Sequence, residues 1–319
     1  MHRLLPTLAL AGLIAAYGAW SQQRPVGHYL SDLRSQIVGE QPPPKGRGNL
    51  LAIEPTLTPH DYQDVARLRL KLAAHLQQAR QAGLLTPRTL VVLPEHIGSG
   101  LLLAGEKREV YQARHLSQAM RWLAASNPLD FALALLQAEG SPRSLDALLR
   151  MKAARMAEDY QQLFAGLARE FGVTLVAGSI LLPQPQIREG RLQPGSGPLY
   201  NVSLVFAADG QLLGAPQYKQ QAEAFELGLL DGAAPPPPQA IATPLGRLGV
   251  LLGADADNAQ LLARLQAQQV ELLALPRFRG ERAERNAALE AHWRGRLWGF
   301  PAGSTRAEGP AQLRNRWLP

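Results

Sequence analysis

The side chains that could do chemistry here are carboxylates, amines and imidazoles, because the 319 residues include no cysteine. That absence removes disulfides, thiolate metal sites and thiol nucleophiles together. The 7 histidines are scattered without metal-ligand spacing, and no glycine-rich phosphate loop occurs, so neither metal nor cofactor is expected. What remains is a set of charged residues beside apolar segments. Glu95 closes the run Thr89-Leu-Val-Val-Leu-Pro-Glu95. Lys219 follows Tyr218, with Glu223 and Glu226 a few positions on. The segment Gly246-Arg-Leu-Gly-Val-Leu-Leu-Gly-Ala-Asp255 leads an apolar strand into Gly253, Ala254 and Asp255.

Several elements must position these groups. Gly48 to Glu54 and Thr89 to Glu95 read as buried strands, short and β-rich, and Val173 to Ser179 as a third. Between the first two, Val65, Leu68, Leu72, Leu76 and Ala79 recur at steps of three and four, predicting an amphipathic helix over 61–83 that Gly83 ends. Residues 105–170 read as helix-rich, clearest over Tyr111–Ala125 and Leu145–Phe171, where Trp122 and Tyr160 are expected to pack. Leu199 to Phe206 and Gln211 to Gly214 flank Asp209-Gly210, a hairpin signature. The strand Gly246–Leu252, the helix Ala259–Gln268 and the strand Val270–Pro276 follow. Strands alternating with helices predict an α/β layered fold.

Four of these segments, in order over about residues 48–295, resemble the nitrilase (carbon–nitrogen hydrolase) superfamily: Leu90–Glu95; Tyr200-Asn201 with Asp209-Gly210 and Tyr218-Lys219; Gly246–Asp255; and Leu261–Arg264 with Val270–Pro276. The resemblance implies an αββα sandwich in which a glutamate activates a thiol, a lysine and a backbone N–H stabilise the oxyanion, and a second glutamate follows the lysine. Carried over, Glu95 is the base, Lys219 the oxyanion donor and Glu226 (or Glu223) the second acid, while the nucleophile falls on Gly253. Tyr200, Asn201, Ala254 and Asp255 occupy ligand-binding positions, although by local rules Asn201 reads as a turn-capping side chain. Asn258-Ala-Gln260 replaces the family's Phe-Pro-Glu. Glu95 and Lys219 would then persist either to bind a polar ligand or as an ion pair anchoring strand ends. The helical insertion over about 105–150 is longer than the family's and would lie over the pocket.

The N-terminus and the charge distribution add expectations about location. Met1-His-Arg3 precedes an apolar run from Leu4 to Trp20, a signal-peptide or signal-anchor composition over 1–20, followed by a Pro- and Gly-rich linker over 21–47. The net charge is +7, and nine arginines against four glutamates lie between Arg277 and Arg316, among Trp293, Trp298 and Trp317. A basic tail over 296–319 suits an anionic lipid surface; nucleic acid is not expected of an exported protein. The combined expectation is a nitrilase-like protein of the bacterial cell envelope, periplasmic or inner-membrane anchored. It would be catalytically silent and would bind a small amide, acyl or amine ligand or a protein partner. The resemblance also implies a homodimer or pairing with an active relative. Two alternatives stay open: a hydrolase or N-acyltransferase working without cysteine, and a peripheral membrane scaffold using the Arg/Trp-rich C-terminus.

Overall fold

In the computed structural model, which describes residues 4–23, 31–39, 48–230, 232, 234–278, 298–304 and 311–317, the predicted periodicities become two sheets and their covering helices. The chain begins with α1 (Leu4–Gln22), β1 (Ser35–Gly39), β2 (Asn49–Glu54), α2 (Val65–Gln81) and β3 (Thr89–Val92). The helical insertion follows as α3 (Arg108–Tyr111), α4 (Leu116–Ser126), α5 (Pro128–Gln137) and α6 (Arg143–Phe171). Then come β4 (Thr174–Val176), β5 (Ile180–Pro183), the small pair β6 (Gln186–Arg188) and β7 (Arg191–Gln193), and the hairpin β8 (Leu199–Phe206) and β9 (Leu212–Tyr218). Last are β10 (Ile241–Thr243), β11 (Gly246–Val250), α7 (Ala259–Ala267), β12 (Leu272–Phe278), β13 (Trp298–Ser304) and β14 (Ala311–Trp317).

The larger sheet runs β1-β14-β2-β3-β4-β8-β5, with β9 also paired to β8; the smaller runs β10-β11-β12-β13. β2, β3 and β4 are parallel neighbours, as are β11, β12 and β13. Strand alternation sorts the apolar residues into layers. Leu50, Ala52, Leu90 and Val92 meet Leu248, Val250, Leu272 and Ala274 between the sheets. The opposite faces of β2, β3 and β4 carry Leu51, Val91 and Leu175 against α2 and α6. On the far side, Leu251, Leu273 and Leu275 pack under α7. The result is the expected helix–sheet–sheet–helix layering.

Local signals explain most boundaries. Asp64 caps α2 by accepting from the Arg67 N–H at 2.7 Å, so the helix starts at Val65 rather than at residue 61, and Gly83 turns away with φ +73°. The helix expected from Tyr111 to Ala125 is divided at residues 112–115 into α3 and α4. The Asp209-Gly210 turn joins β8 to β9 as predicted, with Gly210 at φ +84°.

Three expectations need correcting. The segment read as a linker over 21–47 contains β1, which pairs in parallel with β14. The segment read as a basic tail over 296–319 contains β13, which extends the smaller sheet, and β14, which lies antiparallel to β2. β14 is too polar to show an apolar run and β13 is broken up by Gly299, Pro301 and Gly303, so pairing rather than composition defines them. No described helix is long and apolar enough to cross a membrane, so the expected anchor has no spanning segment among the described residues. Most of the Arg/Trp-rich region, including Trp293, lies outside those residues.

Buried polar groups in α2 give a first test. Lys71 pairs with Asp61 at 3.0 Å, both essentially inaccessible, and His75 one turn on accepts from or donates to Ser35 Oγ at 2.7 Å. Burial, and next the Lys71 ammonium, pull the His75 imidazole down from 6.5 to about 4. The unfolded chain therefore binds more protons between pH 6.5 and about 4, and native stability should fall as pH drops through that window. Urea midpoints should record a loss of about 3 kcal/mol, and His75→Gln should flatten that limb of the profile.

Candidate functional site

The site lies where strand ends of both sheets meet. Glu95 follows β3 across Pro94, and its turn is held by Gly178, whose φ of +65° and contact with the Pro94 carbonyl leave no room for a Cβ. Asn201 sits in the middle of β8, facing the space between the sheets. Lys219 immediately follows β9, its N–H bonded to the Asn201 carbonyl at 2.9 Å. Glu223 and Glu226 come from the next loop, and Gly253 from the 3-10 turn after β11. Positions scattered from 95 to 253 in the sequence thus converge on one ammonium.

Lys219 Nζ donates to Glu95 Oε1 at 2.8 Å, Glu223 Oε2 at 2.8 Å and Glu226 Oε2 at 2.6 Å. An ammonium has three N–H donors, so each is engaged by a carboxylate. Asn201 Nδ2 bridges Glu95 Oε1 and Glu226 Oε1, at 3.0 Å each. Glu95 Oε2 accepts from the Phe278 N–H at 3.1 Å, bringing in the end of β12. Glu95, Asn201, Lys219 and Glu226 are all buried; Glu223 is about one-third exposed, at 32% of its side chain. The Asn201 Oδ1 atom is buried and has no hydrogen-bond partner.

The electrostatics follow from that sharing. Burial pushes the Glu95 carboxyl above its usual range, and the neighbouring His96 and Lys219 charges only partly offset it. Burial also works against ionised Glu226, but the hydrogen bond from His96 and then the Lys219 charge pull it down to about 2. Burial alone would lower the Lys219 ammonium; Glu95, Glu226 and the Glu223 bond hold it above its ordinary value instead. Three carboxylates against one lysine leave the cluster rich in acceptors.

Gly253 supplies the other decisive geometry. Its φ is +51°, and a Cβ built there would stand 2.7 Å from Glu223 Oε2, 2.7 Å from Lys219 Nζ and 2.9 Å from Glu95 Oε2. The charged network therefore occupies the space that any side chain at 253 would need. Ala254 is half-buried in the same turn. Asp255 is buried and accepts from the backbone N–H groups of Gln220 and Gln221, at 2.8 Å each, while burial pushes its carboxyl up to about 7. It thus fastens the turn to the segment carrying Lys219 instead of facing the cluster. Asn258 caps α7.

Two expectations change at this point. Asn201 is no turn cap: it is a mid-strand residue whose amide ties the two acids together. Tyr200 points to the opposite face of β8 and stacks edge-on against Tyr218 with ring centroids 5.5 Å apart, so it belongs to packing. Three residues had no assigned role. His96, left-handed at φ +61°, places Nε2 3.1 Å from Glu226 Oε1. Its ring forms a three-membered aromatic cluster with Phe225 at 5.3 Å and Phe278 at 5.7 Å. The adjacency Glu95-His96 was the available signal for the imidazole; nothing local marks Phe225 or Phe278. The cluster forms a partly exposed rim above the acids. The insertion reaches this edge too: Ser141 donates to the Gly228 carbonyl at 2.7 Å.

Glu95, His96 and Glu226 also place three metal-ligand atoms within 4.8 Å of one another. A cation there would compete with the Lys219 ammonium, which already lies 2.8 Å and 2.6 Å from the same two carboxyl groups.

No family model matches the chain, and no curated protein matches it in sequence. Solved structures do. The NitN amidase of Nesterenkonia sp. AN1 is similar with a TM-score of 0.53 and 15% identity, over 83% of this chain and 82% of that one. A cysteine-to-alanine variant of the Nesterenkonia AN1 amidase, from the nitrilase superfamily, gives a TM-score of 0.51 at 16% identity over 85% and 81%. The fold is that of the nitrilase superfamily. A further form of the Nesterenkonia amidase carries the acetamide moiety of fluoroacetamide on its active-site cysteine; it matches with a TM-score of 0.53 at 16% identity over 85% and 81%. At such identity the likeness is one of fold.

Two outcomes test the geometry. Lys219→Met should destabilise the protein by about 3–5 kcal/mol in urea denaturation, because buried acids lose their counter-charge. Gly253→Ala should cost about 1–3 kcal/mol through its left-handed backbone and the crowding by Glu223. In a double-mutant cycle Glu223→Ala should recover part of that loss; strict additivity would show that the two positions do not share the space.

Proposed function

We propose that this protein is a nitrilase-fold binding protein that has lost the covalent chemistry of its superfamily, and that it recognises a small molecule presenting N–H donors, an amine or a primary amide. In this reading Gly253 stands where the superfamily carries its nucleophile. The observation that carries it is the engagement of all three Lys219 N–H groups by Glu95, Glu223 and Glu226, within the space a side chain at 253 would need. A lysine so committed has no free donor for an oxyanion, and glycine offers no atom to form an acyl intermediate. General-base action by Glu95 alone would supply about 10²–10⁴-fold, too little for a stable amide.

The ligand class follows from the balance of hydrogen-bonding groups. Acceptors exceed donors, and the buried Asn201 Oδ1 atom without a partner favours a ligand that brings N–H groups. Glu223, about one-third exposed beside Phe225, is the natural point of entry.

Calorimetric titration of the full chain with matched amine, amide and carboxylate series tests the reading. Amines and amides should bind, carboxylates should not, and Glu223→Gln should weaken amine binding at least about tenfold by removing a charge-assisted bond. Equal binding of carboxylates would refute the ligand class. Amide turnover by the wild type that vanishes in Glu95→Gln would instead identify a water-activating hydrolase.

A further inference from the structure

Among the described residues, most of the exposed large apolar side chains lie on α1, α4 and α5. Helix α5 buries one face, where Phe131, Ala134, Leu135 and Ala138 pack against Ala147 and Met151 of α6. Its opposite face is also aliphatic: Leu129, Leu133 and Leu136, one stripe at i, i+4 and i+7, are 78%, 62% and 81% exposed. Leu116 at the start of α4 is exposed as well. A helix that is apolar on both faces belongs in an apolar environment, not at a water boundary.

Helix α1 meets the same edge. Its 19 residues carry no charge, and the exposed Leu8, Leu10, Leu13 and Ile14 are spread around its circumference. Its C-terminal end is seated on α4: the Tyr17 hydroxyl donates to the Ala125 carbonyl at 2.8 Å, and the Trp20 and Trp122 rings lie 6.3 Å apart. Lys107 Nζ sits 5.5 Å from the Trp20 ring centroid.

We propose that α1 and the exposed faces of α4 and α5 form one docking surface for a lipid bilayer, in which α1 and α5 lie within the interface. Three features select lipid over a folded partner. An uncharged helix with aliphatic residues on every side is covered completely by acyl chains, whereas a protein groove covers one face. The Tyr17, Trp20 and Trp122 aromatics lie where the apolar helix meets the polar body, an arrangement suited to headgroup depth. Exposed Arg108, Arg114 and Arg121 border the patch, and the chain carries net charge +7, complementary to anionic headgroups. The surface continues to the site. The α5–α6 loop is bonded to Gly228 through Ser141, and Phe225 and Leu227 beside it are exposed. Docking would therefore hold the aromatic rim close to the bilayer. This inference stands on exposure and packing and does not depend on the ligand proposed above.

Flotation of the full chain with phosphatidylcholine vesicles, with and without phosphatidylglycerol, tests it. The wild type should float with both and more strongly with phosphatidylglycerol. The variant L129E/L133E/L136E and the variant L13E/I14E should each lose at least about tenfold in partitioning. Their melting temperatures should match the wild type, because the substituted side chains are exposed. A wild type that never floats overturns the proposal. So does an α5 variant that floats normally, which would reduce the surface to α1 alone. A vesicle-free dimer that L129E/L133E/L136E dissolves, without any flotation of the wild type, would make the stripe an interface between copies.

Discussion

One buried ammonium organises this molecule. Lys219 stands at the end of a hairpin in the larger sheet and reaches acids delivered by β3 and by the following loop. The turn after β11, in the smaller sheet, passes close enough that only glycine fits at 253. Burying a single charge in such a place is strongly unfavourable, and a single counter-ion barely offsets it. Three carboxylates, an asparagine amide and the Phe278 N–H together satisfy the requirement, which fixes five segments relative to one another. The site is therefore also a structural junction between the sheets, with Glu95 and Lys219 paired at strand ends.

That junction shapes the electrostatics of the cluster. Glu95 and Glu226 share the same lysine but are held apart in acidity, Glu95 by deeper burial and Glu226 by its imidazole neighbour. His96 is kept in a left-handed backbone conformation while it both bonds Glu226 and packs against two phenylalanines. Strain of this kind persists where surrounding structure over-determines it, and here the surroundings are the charge cluster below and the rings above.

Much of this was readable from the sequence, for identifiable reasons. Helix α2, the β8–β9 hairpin and strands β2, β3, β11 and β12 announce themselves because burial imposes an apolar period on them. Glu95, Lys219 and Glu226 stood out because the resemblance to the nitrilase superfamily implies an acid, a lysine and a second acid at those positions. Asn201 was misread because local turn statistics ignore that a polar residue on an inward strand face can satisfy buried acids from elsewhere in the chain. Phe225 and Phe278 were invisible because an aromatic rim is a property of tertiary convergence. Strands β1 and β14 escaped because Ser35-Gln-Ile-Val-Gly39 and Ala311-Gln-Leu-Arg-Asn-Arg-Trp317 carry no apolar run that composition can flag, and β13 because Gly299, Pro301 and Gly303 interrupt it.

Strand β14 carries a consequence for how the molecule is made. It lies hydrogen-bonded between β1 and β2, so residues 35–39 have their parallel neighbour at residues 311–315. During synthesis, β2 leaves the ribosome with an open edge, and β1 waits without a partner until nearly three hundred further residues have been translated. The larger sheet is thus closed by an insertion from late in the chain. Through that interval the unpaired edge of β2 is the part of the nascent protein most exposed to mispairing.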